Sequence, residues 1–293
     1  MEKALLIYNP TAGKESIEFL LDEMLTLLSR EGFKVVPFAT KGPGHASEIA
    51  SQEGGNYDSI IAAGGDGTLH EVINGINLSG NPIRLGIIPG GTSNDFARAL
   101  DIPRNLLKAC KIIGERQTKK VDLGIMNGRR FINIAGGGNL TGISYQVPSV
   151  LKTHLGQIAY YAKSIEELPR LRPVRVEIRT PLLRMEEEIM LFLAANSRSV
   201  GGFEHLAPKA AVNDGLLDLI IIKNLRIHEF ISLAAKCLVG EHIDHPKVLY
   251  AQTSEIQIRS EEQLSLNTDG EYAGTLPCNI NVLPQCIDIY SPR

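Results

Sequence analysis

At 293 residues, 43% of them hydrophobic and 22% charged, the chain is long enough for two domains with proper cores and has the composition of a globular protein. A net charge of −3 leaves no broad electrostatic case for nucleic acid, and no apolar run approaches the ~20 residues of a membrane span. The amino terminus lacks the pattern of a signal peptide, and Cys110, Cys237, Cys278 and Cys286 form no CxxC pair, so a reduced, cytoplasmic setting is expected.

In chain order, residues 4–8 read as a strand. Residues 17–30 read as a helix with Ile17, Leu20, Leu21, Met24, Leu27 and Leu28 on one side. A second strand covers 34–39, and a second helix covers 44–52. The stretch SIIAAGGDGTLHE at 59–71 then joins a short apolar strand, a glycine turn at 64–68 and a helix start marked by Leu69, Val72, Ile73 and Ile76. Three glycines in four positions let the backbone come close to a bulky anion, and the N–H groups of a helix start can hold phosphate oxygens. Asp66 would repel that phosphate unless a divalent cation lay between them. The stretch therefore reads either as a nucleotide site with Mg²⁺ or as an ordinary glycine turn with Asp66 capping its helix. A strand at 85–88 runs into the turn PGGTSND at 89–95, a helix follows from about Phe96 and another spans 106–113, leading to Lys120, Val121, Asp122 and Leu123. Repeated βα units imply an α/β domain with a doubly wound, mostly parallel sheet and ligands at the carboxyl ends of its strands. The glycine turns at 9–13, 64–68 and 90–95 should then lie along one rim.

Near residue 125 the pattern changes. Residues 130–135, 174–179, 187–196, 216–222, 255–260, 265–269 and 279–282 suggest strands, and helical patterns are confined to 148–168 and 227–239. Runs of strands argue for a mainly antiparallel, β-sandwich-like domain. The expected division is 1–124, with about 284–293 as a candidate to complete it, and 125–283, with a cleft between them. In 148–173, Leu151, Leu155, Ile158, Ala162 and Ile165 form an apolar stripe beside Lys152, Lys163, Arg170 and Arg172. That stripe either packs into the domain core or lies on an anionic lipid surface. His242 and His245 read as a polar loop or as a metal site.

The standard phosphate fingerprints do not fit. NPTAGK at 9–14 lacks the first glycine of a Walker A loop, and Glu15 replaces its Ser or Thr. His70 stands where a G-x-G-x-x-G would need its third glycine, and GGG at 136–138, read as a turn after a strand, matches no better. What remains is the ordered set NPTAGK at 9–14, GGDGTLHE at 64–71, GGTSNDFAR at 90–98, VDLG at 121–124 and NTDGEYAG at 267–274. This set resembles the diacylglycerol kinase catalytic family, specifically its soluble bacterial lipid kinases, over essentially the whole chain. His70 is a departure, since those members commonly carry Asn there.

The resemblance implies that Asn9, Pro10, Thr11, Gly13, Gly64, Gly65, Asp66, Gly67, Thr68 and Thr92 hold ATP, with Thr40 touching the nucleotide. It implies that Asp66, Asp95 and Asp122 organise a catalytic Mg²⁺ and its waters, and that Glu271 takes the proton of a lipid hydroxyl. It also implies a structural Mg²⁺ held by the Asp214 side chain and the carbonyls of Ala211 and Leu216. On the residues alone, Asp95 as a helix cap, Asp122 as a strand-end residue, Glu271 as a solvated hairpin tip and residues 213–215 as an ion-free turn stay open. The implied function is an ATP- and Mg²⁺-dependent kinase that converts diacylglycerol, or a similar lipid alcohol, to phosphatidic acid. It would be cytoplasmic and peripheral at the inner membrane surface, with its lipid reached at the bilayer, no nucleic acid partner, and a homodimer as an open option. The alternatives are a related kinase for another lipid or for NAD, and a non-catalytic nucleotide- or lipid-binding regulator. Intact Asp66, Asp95, Asp122 and Glu271 argue against the regulator.

Overall fold

The computed structural model describes residues 1–13, 17–79, 83–138, 172–200, 203 and 205–293. Lys14 of the first motif and the expected helix at 148–168 lie outside the described residues. The chain divides into two compact units, one of Met1–Leu123 with Pro284–Arg293, the other of Gly124–Leu283.

The first unit is built on parallel strands β1 (Glu2–Tyr8), β2 (Phe33–Ala39), β3 (Ser59–Gly64) and β4 (Arg84–Pro89), in the order β2-β1-β3-β4. Helices α1 (Leu21–Arg30), α2 (His45–Glu53) and α3 (Asp66–Gly75) link them, and α4 (Asp95–Ala99) and α5 (Leu106–Glu115) follow β4. Every residue of β3 is buried, as expected of a parallel strand covered on both faces, and that is why its sequence is a continuous apolar run. The helix expected over 17–30 begins as a 3-10 turn, Ile17–Leu20, before α1. In α5 the buried residues Leu106, Ala109, Cys110 and Ile113 form one stripe at helical spacing, and the Asn105 side chain caps the start by accepting the Lys108 amide at 2.9 Å.

The last residues return to this unit. In β15 (Cys278–Tyr290), Asp288 and Ile289 pair in parallel with Arg84 and Leu85 of β4. The Tyr290 hydroxyl donates to Glu2 at 2.6 Å, and its ring meets Phe33 edge-on at 6.2 Å. Burial first, then that carboxylate, push the Tyr290 hydroxyl pKa up.

The second unit starts from the end of β5 (Thr118–Met126), which pairs with β6 (Arg129–Phe131). It continues through β7 (Ile134–Gly138), β8 (Val174–Arg179), β9 (Arg184–Ala195), β10 (Leu217–Lys223), helix α6 (Ile227–Val239), β11 (Val248–Thr253), β12 (Glu255–Arg259), β13 (Ser265–Thr268) and β14 (Glu271–Thr275). Its strands pair antiparallel, in the order β14-β13-β7-β9-β8-β12-β15, with β10 between β9 and β11. Phe131, Val176, Ile178, Phe192, Leu219, Ile256, Ile258 and Ile280 lie in one buried cluster, each a strand residue facing inward.

Three expectations need correction here. The strand expected over 130–135 is two strands, broken at Ile132 and Asn133. The glycines at 136–138 are not a turn but part of β7. A Cβ on Gly136 would stand 2.7 Å from the Phe192 carbonyl oxygen, and one on Gly137 2.7 Å from the Phe192 ring, so glycine is needed for strand packing. His242, read as part of a polar loop or a metal site, is a core residue of a 3-10 turn, Glu241–Asp244, with Nε2 at 2.8 Å from the Leu206 carbonyl. Among the described residues no group of three or more His, Cys, Asp or Glu gathers to hold a metal.

Candidate active site

At the carboxyl ends of the parallel strands the three glycine turns lie along one rim. The Asn9 amide donates to Ala63 at 2.9 Å, the Thr40 amide to Tyr8 at 2.8 Å and the Gly90 amide to Gly64 at 2.8 Å, so each turn is tied to the neighbouring strand end. Asn9 shapes the first turn by accepting both the amide and the hydroxyl of Thr11 on Oδ1, each at 3.0 Å, and Gly13 follows with φ 75°. Pro10 and Thr11 therefore sit in a side-chain-braced turn directly after β1.

The second and third turns touch backbone to backbone. A Cβ on Gly91 would stand 2.5 Å from the Gly65 Cα, whereas one on Gly65 would meet Gly91 at an ordinary 3.4 Å. Asn94, left-handed at φ 50°, braces the third turn by accepting the Gly91 amide at 2.8 Å and donating to its carbonyl at 2.7 Å. Arg104 donates to the carbonyls of Thr92 and Ser93, and Arg98 to that of Ser93, each at 3.1 Å. Neither arginine is a sequence candidate. Arg98 at least closes the GGTSNDFAR motif, whereas nothing local marks Arg104.

Asp66 does not cap its own helix. The first-turn amides at Gly67 and Thr68 have no intrahelical partner, and Gly65, the residue before α3, has no side chain to cap them. The Asp66 carboxylate instead accepts the amides of Asp95 at 3.1 Å and Phe96 at 3.3 Å, capping α4 across the two glycine turns. This brings Asp66 and Asp95 together. Asp95 is buried, and its carboxylate lies 3.9 Å from the Arg98 guanidinium. Glu71, the last residue of the same motif, repeats the device by accepting the amides of Gly44 at 2.8 Å and Ala46 at 3.1 Å at the start of α2.

Asp122 is not a strand-end residue. It lies fully buried inside β5 and accepts the Gln285 amide at 2.6 Å, where β15 comes alongside. The carboxylates of Asp66 and Asp95, brought together at this rim, are the hard oxygen donors that a hydrated Mg²⁺ takes. The residues fit that ion.

In the second unit, Glu271 heads β14 rather than lying in a turn, and it is exposed. Asp269 at φ 50° and Gly270 at φ 89° form the two-residue connection from β13, and Thr268 pairs with Glu271 across it. Arg129 donates to the Tyr272 carbonyl next to it.

The loop at 211–216 turns at Gly215, φ 74°, with Asp214 accepting the Leu216 amide at 3.0 Å. Asp218, two residues beyond, is buried, and one of its oxygens accepts the Tyr250 hydroxyl. The other oxygen is buried without a hydrogen-bond partner. Burial above all, with the charge of Asp214 adding to it, holds the Asp218 carboxyl pKa above the usual range. A buried carboxylate within electrostatic reach of Asp214 adds a hard oxygen donor to the neighbourhood of this loop, the kind of donor that suits a hard cation or its water. Asp218 is not a sequence candidate either, because in the run LLDLIII it looks like an outward-facing strand residue.

Residues 3–126 match the family model of the diacylglycerol kinase catalytic domain, and residues 142–291 match that of the YegS C-terminal NAD kinase beta sandwich-like domain. A diacylglycerol kinase of Bacillus subtilis (strain 168) is 45% identical over 100% of this chain and 97% of its own length. One of Staphylococcus carnosus (strain TM300) is 44% identical over 100% of this chain and 96% of its own. A solved diacylglycerol kinase structure from Bacillus anthracis str. Sterne is similar at TM-score 0.78 and 27% identity, over 99% of this chain and 97% of that one. Another solved chain from that organism reaches TM-score 0.85 at 31% identity, over 99% of this chain and 95% of its own. With its two glycine turns locked together around Asp66 and its full length shared with these relatives, the chain belongs to the diacylglycerol kinase catalytic family.

Proposed function

We propose that the protein transfers the γ-phosphoryl group of ATP to the free hydroxyl of diacylglycerol, giving phosphatidic acid and ADP. Membership of the family makes it a lipid kinase with ATP as donor. The choice of diacylglycerol and the residue roles are our reading. The observation that carries it is the pair of touching glycine turns with Asp66 bonded across them to the start of α4.

Phosphoryl transfer needs positioning and charge neutralisation more than covalent chemistry. Backbone amides and hydroxyls at Asn9, Thr11, Gly13, Thr40, Gly64, Gly65, Gly67, Thr68 and Thr92 would hold ATP, with Pro10 fixing the first turn. The missing Cβ at Gly65 allows close approach of the phosphates. Asp66 and Asp95, with Asp122 in support, would hold Mg²⁺ through its waters, and the ion when bound offsets charge on the β- and γ-phosphates. Glu271 accepts the hydroxyl proton as the attacking oxygen closes on phosphorus. A second, structural Mg²⁺ would sit at Ala211, Asp214 and Leu216. No helix among the described residues is long and apolar enough to cross a membrane. Diacylglycerol is a membrane lipid, so in this reading the protein would meet it at the bilayer surface, peripheral to the membrane.

The test offers a mixed lipid extract and labelled ATP, then identifies the labelled product. Phosphatidic acid is expected. Label on another lipid or on NAD would overturn the substrate, and no transfer to any acceptor would point to a regulator.

A further inference from the structure

An Asp-Gly connection suits a two-residue hairpin because both central residues need φ > 0, and that requires no long-range partner for the aspartate side chain. Here that side chain is heavily used. Its carboxylate accepts the amides of Ile132 at 2.8 Å, Asn133 at 2.8 Å and Ile134 at 3.0 Å, while its own amide donates to the Ile134 carbonyl at 2.8 Å. Residues 132–133 are the break between β6 and β7, where the sheet ladder offers no partners and buried amides must find others. Hydrogen bonds to an ionised carboxylate are roughly twice as strong as neutral ones.

The break is held from its other side as well. The Asn133 carbonyl accepts the Asn196 amide at 2.8 Å, the Ile132 carbonyl accepts the Asn196 side-chain amide at 3.0 Å, and the Ser197 hydroxyl donates to Asn133 Oδ1 at 2.8 Å. Asn133, Asn196 and Ser197 are all buried. A fixed platform of backbone thus grips the hairpin tip through the carboxylate and the amide of Asp269, two residues before an exposed glutamate at the head of β14.

We propose that Asp269 is the positioning residue for Glu271. It fixes the backbone from which the base projects, so that the Glu271 carboxylate is in place before the lipid hydroxyl arrives. Asp269 is not the proton acceptor in this scheme; its carboxylate holds the three amides. The proposal rests on the reading of Glu271 as the base. A catalytic group displaced by about 1 Å can cost roughly 10²-fold in rate.

The test is a double-mutant cycle in the full chain with Asp269→Ala, Glu271→Gln and the two combined. Turnover is measured on a short-chain diacylglycerol in micelles, ATP binding by calorimetry and folding by thermal melting. Asp269→Ala is expected to lower kcat about 10- to 100-fold, with ATP affinity and lipid KM within about two-fold. Glu271→Gln is expected to lower it about 10²–10⁴-fold. The double variant should be no slower than Glu271→Gln alone, because a positioning residue has nothing left to position. Losses that multiply, or an Asp269→Ala with wild-type kcat, would overturn the proposal while leaving the base intact. A wild-type kcat for Glu271→Gln would overturn the base reading and the proposal with it. If Asp269→Ala melts too low to assay, Asp269→Asn keeps one oxygen for the amides and carries the same cycle.

Discussion

In the first unit, carboxylates are seated on helix starts, with Asp66 over Asp95 and Phe96 and Glu71 over Gly44 and Ala46. In the second unit Asp269 is seated on three amides at a strand break. The difference follows from the backbone. A βα layout brings helix starts to the rim, each with amides that have no intrahelical partner, so several acidic residues can find seats there. An antiparallel sheet consumes its amides in the ladder and must interrupt a strand to free any. The first arrangement therefore spreads its carboxylates over several helix starts, whereas the second gathers three free amides on a single carboxylate.

Disabling one carboxylate on each side should give the largest effects. Glu271→Gln should cost about 10²–10⁴ in kcat with ATP affinity nearly unchanged. Asp66→Asn should lose turnover together with the Mg²⁺ dependence of ATP binding, measured by calorimetry with and without the ion. If the two variants have the same profile, the division of labour between the units is wrong.

The glycine contact sharpens the nucleotide side. Gly91→Ala forces a Cβ to 2.5 Å from the Gly65 backbone, and overpacking of this kind costs about 1–3 kcal/mol, with about 2–4 °C of Tm for each kcal/mol. Gly65→Ala should keep the wild-type Tm and weaken ATP binding instead, because its Cβ has room in the protein and none beside a phosphate. Equal melting curves for the two variants would sink this account.

For the loop at 211–216, Asp214→Ala should erase most of the rise in Tm that Mg²⁺ gives the wild type, since an ion bound only by the folded state stabilises by mass action. Equal responses to Mg²⁺ would remove the structural ion.

The smallest effect concerns His242, whose imidazole pKa is pushed down chiefly by burial. Below its ordinary value of about 6.5 the unfolded chain takes up a proton that the folded chain refuses, so stability falls as pH drops through that value. The fall should be seen as a lower Tm at about pH 5.5 than at about pH 7.5. His242→Gln, which can still donate to the Leu206 carbonyl, should flatten it, and an unchanged slope would assign the pH dependence elsewhere.

Much of the first unit was legible because its signals are local. Buried parallel strands read as apolar runs, and glycine turns stand out between them. The partners of the acidic residues were not legible, because a capping pattern is read within one helix and Asp66 caps another one, 29 positions away. Asp269 finds its amides 135 to 137 positions away. Strand β14 escaped notice because its residues are exposed or half-buried and carry no apolar alternation. The glycines at 136–138 misled for the opposite reason: a turn signal by composition is a packing requirement once Phe192 and Leu266 press on β7.

The return of β15 to the first unit also sets an order of assembly during synthesis. Residues 1–123 leave the ribosome first, yet the strand that pairs with β4 and the amide that Asp122 accepts arrive only after residues 124–283 have been made. The half made first is thus the half finished last. Until then β4 lacks its β15 neighbour, and an unpaired strand edge invites another chain to pair with it. A fragment cut at residue 123 would keep that edge permanently.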